Sequence, residues 1–513
     1  MEGPFPEGKA VSPGGDLPSR EEFLRLGRQY NVLPVCRPFL GDALTPVSLL
    51  KLVATGDHFL LESVAGGERV ARYSFVGLGF SRFFSSRGRQ CRWQVSPREP
   101  VVSREGDAVL LLQAFLGSFR TPSLPGYPFL MAQAAGWFSG GHAQGEPGEI
   151  LAVLPDELVV FDHSLGVVWL VEMVYLQGGA SREEEWEGAR ERLARWPLSL
   201  TSVLPSAVTL FEAGRGSAPG PEPLEAAEAA EAAVEQGWRA LEAGELFYVN
   251  VSGGWEIVED FSPLDAYRVL RVLYPAPNLY SFSYGGRALV GASEESFLRI
   301  QGRRAYLPLV AGERRRRGPE EDALLADELR EDASAEATHA LLLDGARSDF
   351  SRVVAGPPRL PRNGEVETCA QMLYLVSELE GDLGPGQGPF SALEALLPAG
   401  TVSGWPRERA RKLLSSWEKG ERGNFGGVVF CHDFRGQLAS CVVNRVLSRE
   451  IGKKWQGRCA LGLKAGRPWE EVRTRFRGRM AEWRRVAAWA RQLAGQGPGP
   501  QAPGSQTTGP QGS

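Results

Sequence analysis

Histidine is scarce. The five in the chain, His58, His142, His163, His339 and His432, never stand at ligand spacing from one another, which argues against a histidine-built metal centre. Six cysteines (Cys36, Cys91, Cys369, Cys431, Cys441, Cys459) form no C-x-x-C pair, so in a chain of 513 residues they are expected to be reduced and mostly buried. No apolar run approaches the roughly 18 residues of a membrane span. The most apolar stretch, Leu165 to Leu176, is broken by Glu172. The N-terminal residues lack the apolar core of a signal peptide. No basic excess exists either: 57 basic residues face 62 acidic ones, for a net charge of −5. That balance argues against nucleic acid as the main partner. A cytoplasmic protein without membrane or nucleic-acid partners is the expectation. Lysine is the rarer base, seven against fifty arginines, as GC-rich codon usage gives. A P-loop, a G-x-S-x-G elbow and a convincing G-x-G-x-x-G after a strand are all missing. Kinase, dehydrogenase, serine-hydrolase and zinc readings therefore fail.

What is present is a globular composition, 43% apolar and 23% charged. Residues 1–18, 213–223 and 496–513 are rich in Gly and Pro and read as disordered ends and a linker. They divide the chain into segments 19–212 and 224–495. In the first, Arg69 to Gly79, Leu158 to Phe161 and Val167 to Val171 have strand character, with a turn at Asp162-His163-Ser164, and Arg182 to Arg195 is helical. In the second, Pro223 to Ala243 reads as a helix closed by Gly244, and Leu246 to Val251 as a strand. Ser281 to Ile300 reads as a hairpin about Gly285-Gly286. Glu320 to Leu343 reads as helix broken near Asp332 to Ser334, and Glu470 to Leu493 as the last helix. Strands and helices alternate without regular β-α-β spacing, which predicts an α+β body.

Three turns stand out: Ala311-Gly312-Glu313-Arg314, Pro398 to Gly404, and Gly423-Asn424-Phe425-Gly426-Gly427. Glycines let backbone amides approach an anion, and a nearby arginine binds a carboxylate in bidentate fashion. A small polyanionic metabolite is one reading; ordinary tight turns are the other.

With these turns, several further stretches resemble the chorismate-utilising family, specifically anthranilate synthase component I. They are Phe59 to Val64 with Gly66 to Arg69 and Arg72 to Phe75, Val160 to His163, Gly244 to Phe247, Pro275 to Pro277, Asp344 with Arg347 and Asp349, Leu375 to Ser377 with Glu380-Gly381, and Trp469 to Glu471. The resemblance runs from about Leu33 to Ala490. It implies two packed, mostly antiparallel sheets with helices outside. It implies an N-terminal regulatory segment that binds tryptophan and a C-terminal segment that binds chorismate. In the family reaction ammonia from a glutamine amidotransferase subunit adds to chorismate with Mg2+, and pyruvate leaves with anthranilate as product. Ala311 stands where relatives making aminodeoxychorismate carry a nucleophilic lysine, which favours the anthranilate branch.

By the resemblance, Gly312, Arg445 and Gly462 bind substrate, Glu471 binds Mg2+, and Ser63, Pro277 and Leu279 line the tryptophan pocket. Other positions depart from the family. Ala335 and Thr338 stand where it has the two glutamates of Glu-x-x-Glu-His, and Mg2+ needs such oxygens. Gln371 stands for the catalytic histidine, Phe425 for a site tyrosine, Ser348 for an asparagine and Glu313 for a threonine. Two unit charges about 4 Å apart repel by about 4 kcal/mol at an effective dielectric near 20, so Glu313 should oppose a dianionic substrate. Arg314 to Arg317 are the expected compensation, and a rearranged metal site is the other possibility. The resemblance favours an anthranilate synthase component I-like lyase with a rebuilt site; the alternative is a catalytically impaired paralogue that binds tryptophan, chorismate or the glutaminase subunit as a regulator.

Overall fold

The structure, a computed structural model, describes residues 17–41, 44–53, 56–62, 72–124, 132–140, 148–176, 180–200, 224–258, 260–369, 372–418 and 421–494. The expected linker, the C-terminal tail, Ser63 and Gln371 lie outside them. Leu17, placed by the sequence in a disordered end, exchanges backbone hydrogen bonds with Cys36.

Among the described residues the strands form two sheets of eleven, with every named pairing antiparallel. Each sheet draws on both sides of residue 212. In the first, the N-terminal block is Val32–Leu40, Val167–Tyr175, Glu157–Asp162, Tyr73–Leu78 and His58–Glu62. It continues through Asn278–Tyr284, Arg287–Ser293, Val446–Arg449, Trp455–Lys464, Tyr248–Ile257 and Gly404–Trp405. In the second, Arg359–Thr368, Met372–Asp382, Arg304–Arg315, Ser296–Gln301, Leu438–Val442 and Val428–His432 meet the N-terminal block at Ala134–Phe138. That block ends with Ile150–Leu154, Arg82–Arg87, Gln90–Gln94 and Val102–Glu105.

Strand alternation explains the layering. Phe59 and Leu289 point into the core between the sheets, while their neighbours Leu60 and Val290 point to the outer helices. Both faces of these strands are buried, so they read in sequence as continuous apolar runs. Burying a side chain such as Phe59 contributes roughly 1.5–3 kcal/mol before conformational entropy is counted. The outer layer over the first sheet includes helices Leu224–Glu242, Pro263–Leu273 and Trp469–Ala494. Among the described residues no helix is long and apolar enough to cross a membrane.

Local chemistry sets the boundaries. Gly285 and Gly286 both have positive φ (57° and 76°), as a two-residue hairpin turn requires. The helical segment after Gly318 breaks at Asp332, whose carboxylate accepts from the Ser334 and Ala335 amides at 3.0 Å each and starts helix Ala333–Phe350. Such a cap contributes about 1 kcal/mol.

The expected hairpin from Ser281 to Ile300 is only half right. Its first two strands pair, but after Ser293 the chain leaves the first sheet, and Ser296 pairs with Cys441 in the second. Glu294 and Glu295 are thus the crossover between sheets. A second crossover runs beside it, from Val442 in the second sheet to Val446 in the first, and carries Arg445. The Val442 amide donates to Glu295 O (2.9 Å) and the Ala292 amide to Arg445 O (3.3 Å), locking the two crossovers together.

Candidate active site

This double crossover places Glu294 against Arg445. Their side chains form an ion pair and are only 17% and 13% exposed. The Arg445 guanidinium also lies 5.6 Å from the centre of the Tyr274 ring. Burial works against its charge, but Glu294 and then Tyr374 outweigh it and hold the group charged above its ordinary range. Arg445, expected to present an open guanidinium to substrate, already carries a carboxylate from its own chain.

Next to this pair, Glu295 is fully buried and accepts from the Thr401 hydroxyl at 2.5 Å. The Pro398–Gly404 turn that supplies Thr401 is held by Arg407, which donates to Leu397 O (2.6 Å) and Pro398 O (2.9 Å) and pairs with Asp349 at 2.6 Å. Thr401 O in turn accepts from the Tyr248 hydroxyl and the Asn250 amide, both at 2.8 Å. Gly462 sits across from Asn250, and a Cβ there would lie 2.7 Å from the Tyr248 hydroxyl. The close approach of that hydroxyl is what requires glycine.

Burial pushes the Glu295 carboxyl up to about 7; the Thr401 hydrogen bond lowers it and Glu294 raises it. A folded-state value above the unfolded one means the folded chain holds an extra proton between them. That stability is fully present below about pH 4.5 and is lost as pH rises through about 7. A tenfold change in proton affinity is worth about 1.4 kcal/mol. Glu295→Gln is therefore expected to equal the wild type near pH 4.5 and to exceed it by about 3 kcal/mol at pH 8. Urea unfolding across pH measures this. A difference between the two proteins that stays flat from acid to base would refute the burial of an uncompensated carboxyl.

Gly312 is the bulged residue between Ala311 and Glu313, with φ of 80°. The bulge turns Glu313 toward the last helix, where Arg475 and Arg479 approach its Oε1 at 3.3 and 3.7 Å. Compensation of Glu313 thus comes from there and not from Arg314 to Arg317. Arg314 pairs with Glu328 and Asp332, Arg316 with Asp322, and Arg317 with Glu321. Tyr374 is directly across from Glu313 in the strand pairing. Burial first, then Glu294, raises its hydroxyl well above the ordinary tyrosine value.

The positions expected to carry metal do not converge. Ala335 is 4% exposed and packs in an apolar cluster with Leu325, Leu329, Leu373 and Leu375. A Cβ on Gly312 would meet the Ala335 methyl at 3.4 Å, so this methyl, and no carboxylate, faces the bulge. The Thr338 hydroxyl donates to Ser334 O at 2.8 Å, within its own helix. Glu471 is 45% exposed on its side chain and paired with Arg467. No group of three or more His, Cys, Asp or Glu side chains suited to a metal occurs among the described residues. The donor set does not fit Mg2+: the carboxylate nearest Gly312 in sequence, Glu313, is taken by two guanidiniums.

Of the residues expected for tryptophan, Leu279 is buried and pairs across from Glu62, and Pro277 is half-buried. Glu62 is itself paired with Arg271 at 2.7 Å. Phe425 is fully buried, with the Arg422 guanidinium 5.4 Å from its ring centre. Of the cavities among the described residues, one of about 370 Å³ is lined by Pro398 and Ser403 of one expected turn and Phe425 and Gly426 of another, and one of about 460 Å³ by Glu336, His339, Asp344 and Arg347. Neither is lined by Arg445 or Gly312. Sequence reasoning missed Glu294, Tyr374, Arg475 and Arg479. The one signal in the sequence was the i, i+4 spacing of Glu471, Arg475 and Arg479 along one helix face.

The fold and the comparisons with known proteins define a class. Residues 104–462 match the family of chorismate binding enzymes, and the chain belongs to that family. Within it the chain is anthranilate synthase component I-like. It is 32% identical over 452 residues to anthranilate synthase component 1 of Mycolicibacterium smegmatis, covering 83% of this chain and 85% of that one. The component 1 of Arthrobacter globiformis is 33% identical over 458 residues, again covering 83% and 85%. In fold, the chain is similar to anthranilate synthase component I of Streptococcus pneumoniae (TM-score 0.66, 21% identity, covering 87% of this chain and 98% of that one). It is also similar to MenF, the menaquinone-specific isochorismate synthase of Escherichia coli (TM-score 0.65, 17% identity, covering 91% and 99%).

Proposed function

We propose that the chain is a regulatory member of the anthranilate branch of tryptophan biosynthesis. In this reading it keeps the component I scaffold, binds tryptophan or a glutamine amidotransferase subunit, and does not convert chorismate to anthranilate. The observation that carries the reading is the Glu294–Arg445 ion pair, because it fills the guanidinium on which a substrate carboxylate would depend. The residues at Ala335 and Thr338 support it, since neither side chain offers a carboxylate to Mg2+ and the Thr338 hydroxyl is turned to Ser334 O. So does the capture of Glu313 by Arg475 and Arg479.

A second reading, a rebuilt lyase, is favoured by one feature. Burial raises the Glu295 carboxyl to about 7, a range that suits a general acid or base. In that case Arg475, Arg479 and Lys464 would supply the positive charge.

Growth separates the two. The full chain, expressed with a glutaminase subunit in a bacterium lacking anthranilate synthase component I, is expected not to restore growth without tryptophan. An immunoblot confirms soluble protein, and a functional component I serves as the positive control. Restored growth would establish the lyase.

A further inference from the structure

We infer that the groove between helix Ala333–Phe350 and strand Arg359–Thr368 binds a zwitterion of the α-amino-acid class with an aliphatic side chain. The inference is independent of the reading above. The groove belongs to the second sheet, is lined by neither Arg445 nor Gly312, and includes neither Pro277 nor Leu279.

Strand Arg359–Thr368 is the edge of the second sheet, and its ladder with Met372–Asp382 slips twice, between Arg359 and Arg362 and between Arg362 and Glu365. Gly364 takes a φ of 63° in the second slip. Such irregularities bend an edge away from regular pairing. Here a cavity of about 460 Å³ lies between the edge and the helix. Its apolar wall is Leu343 and Leu375, both buried, with half-buried Leu360. Asp344, Arg347 and Asn363 stand exposed at its rim.

The polar groups at the back of the cavity are already satisfied. His339 Nδ1 lies 3.1 Å from Ala311 O, and a carbonyl can only accept, so this nitrogen carries the proton. Nε2 then accepts from the Ser377 hydroxyl at 2.7 Å, and Ser377 Oγ takes the Gly364 amide at 2.9 Å. These bonds tie helix, strand and bulge together, so the wall is formed before any ligand arrives.

The rim is different. Nearby, Arg314, Arg316, Arg330, Arg352 and Arg362 each hold a carboxylate. Among the described residues no ion pair or side-chain hydrogen bond engages Arg347, Asp344 or Asn363. Asp344 and Arg347 are three apart on one helix, which brings their Cβ atoms to about 5–6 Å. Opposite charges that close together match a ligand whose own opposite charges sit on one carbon. A longer zwitterion finds no such match: Glu336 is eight residues before Asp344, roughly 12 Å along the axis, and Arg330 is held by Asp327 at 2.5 Å. In the bound form the ligand carboxylate takes the Arg347 fork and the Asn363 amide, and its ammonium takes Asp344. The side chain lies on the leucines, and because the wall offers no Phe, Tyr or Trp, an aliphatic chain fits it best.

Saturation-transfer NMR and calorimetric titration of the full chain test this with leucine as the probe. The controls are 4-methylpentanoate and isoamylamine, which keep the side chain but lack the ammonium and the carboxylate respectively. Leucine is expected to bind with a Kd of about 1 mM or tighter, and each control at least about tenfold more weakly. Arg347→Gln and Asp344→Asn, both at exposed positions, are each expected to weaken leucine binding at least about tenfold. Arg315→Gln, an exposed position outside the groove, is expected to leave it unchanged. No binding of leucine up to about 10 mM, a control that binds as well as leucine, or leucine binding that survives both rim substitutions would each overturn the inference. Turnover of chorismate would bear on the regulatory reading alone.

Discussion

Arg445→Leu is expected to destabilise the protein by about 3–5 kcal/mol, because it strands a buried carboxylate at Glu294. The side chains are 13% and 17% exposed, so water cannot fully compensate the lost partner. Leu at both positions is expected to recover most of the loss, since a buried pair is seldom more stable than apolar groups of like volume. Urea unfolding of the two single variants and the double variant measures the coupling. An arginine held unpaired for a ligand behaves differently: its removal strands no carboxylate and should not destabilise the protein. A small effect at Arg445 would therefore return the guanidinium to substrate.

The second large effect concerns magnesium. Wild-type melting is expected to be unchanged by Mg2+. Ala335→Glu with Thr338→Glu and Glu313→Thr is expected to create a shift that EDTA reverses. Without metal, a carboxylate at 335 lies among Leu325, Leu329, Leu373 and Leu375, a burial that costs several kcal/mol. With metal at about a hundred times its dissociation constant, binding returns about 2.7 kcal/mol. The variant should thus be less stable than wild type in EDTA and recover part of the loss in Mg2+. A reversible Mg2+ shift in the wild type would show that the described carboxylates hold the ion after all.

The elements were legible where local chemistry decides them. The Gly285-Gly286 turn, the Asp332 break and the amphipathic last helix each follow from residues within a few positions of one another. The crossovers were not legible. Nothing in Ser293-Glu294-Glu295-Ser296 says that the chain changes sheets there, because that depends on which strands lie alongside, a long-range matter. The site suffered for the same reason. Glu313 was identified as a problem charge, yet its partners were sought among the adjacent arginines. The actual partners, Arg475 and Arg479, lie 162 residues and more away in sequence and arrive only when the last helix packs on the first sheet. Glu294 passed unnoticed because an acidic residue at a strand end ordinarily faces solvent. At Ala335 and Thr338 no fold was needed to see that a carboxylate is missing, since a side chain without an oxygen, or with one hydroxyl, is a statement of composition alone.

The occupied site is tested most directly by turnover. Purified full-length protein at high concentration, given chorismate, ammonium and Mg2+, is followed by the blue fluorescence of anthranilate. The signal is expected to match that of a heat-inactivated sample. A rise proportional to protein concentration and abolished by EDTA would contradict it, for chorismate would then have displaced Glu294 from Arg445 and found its metal.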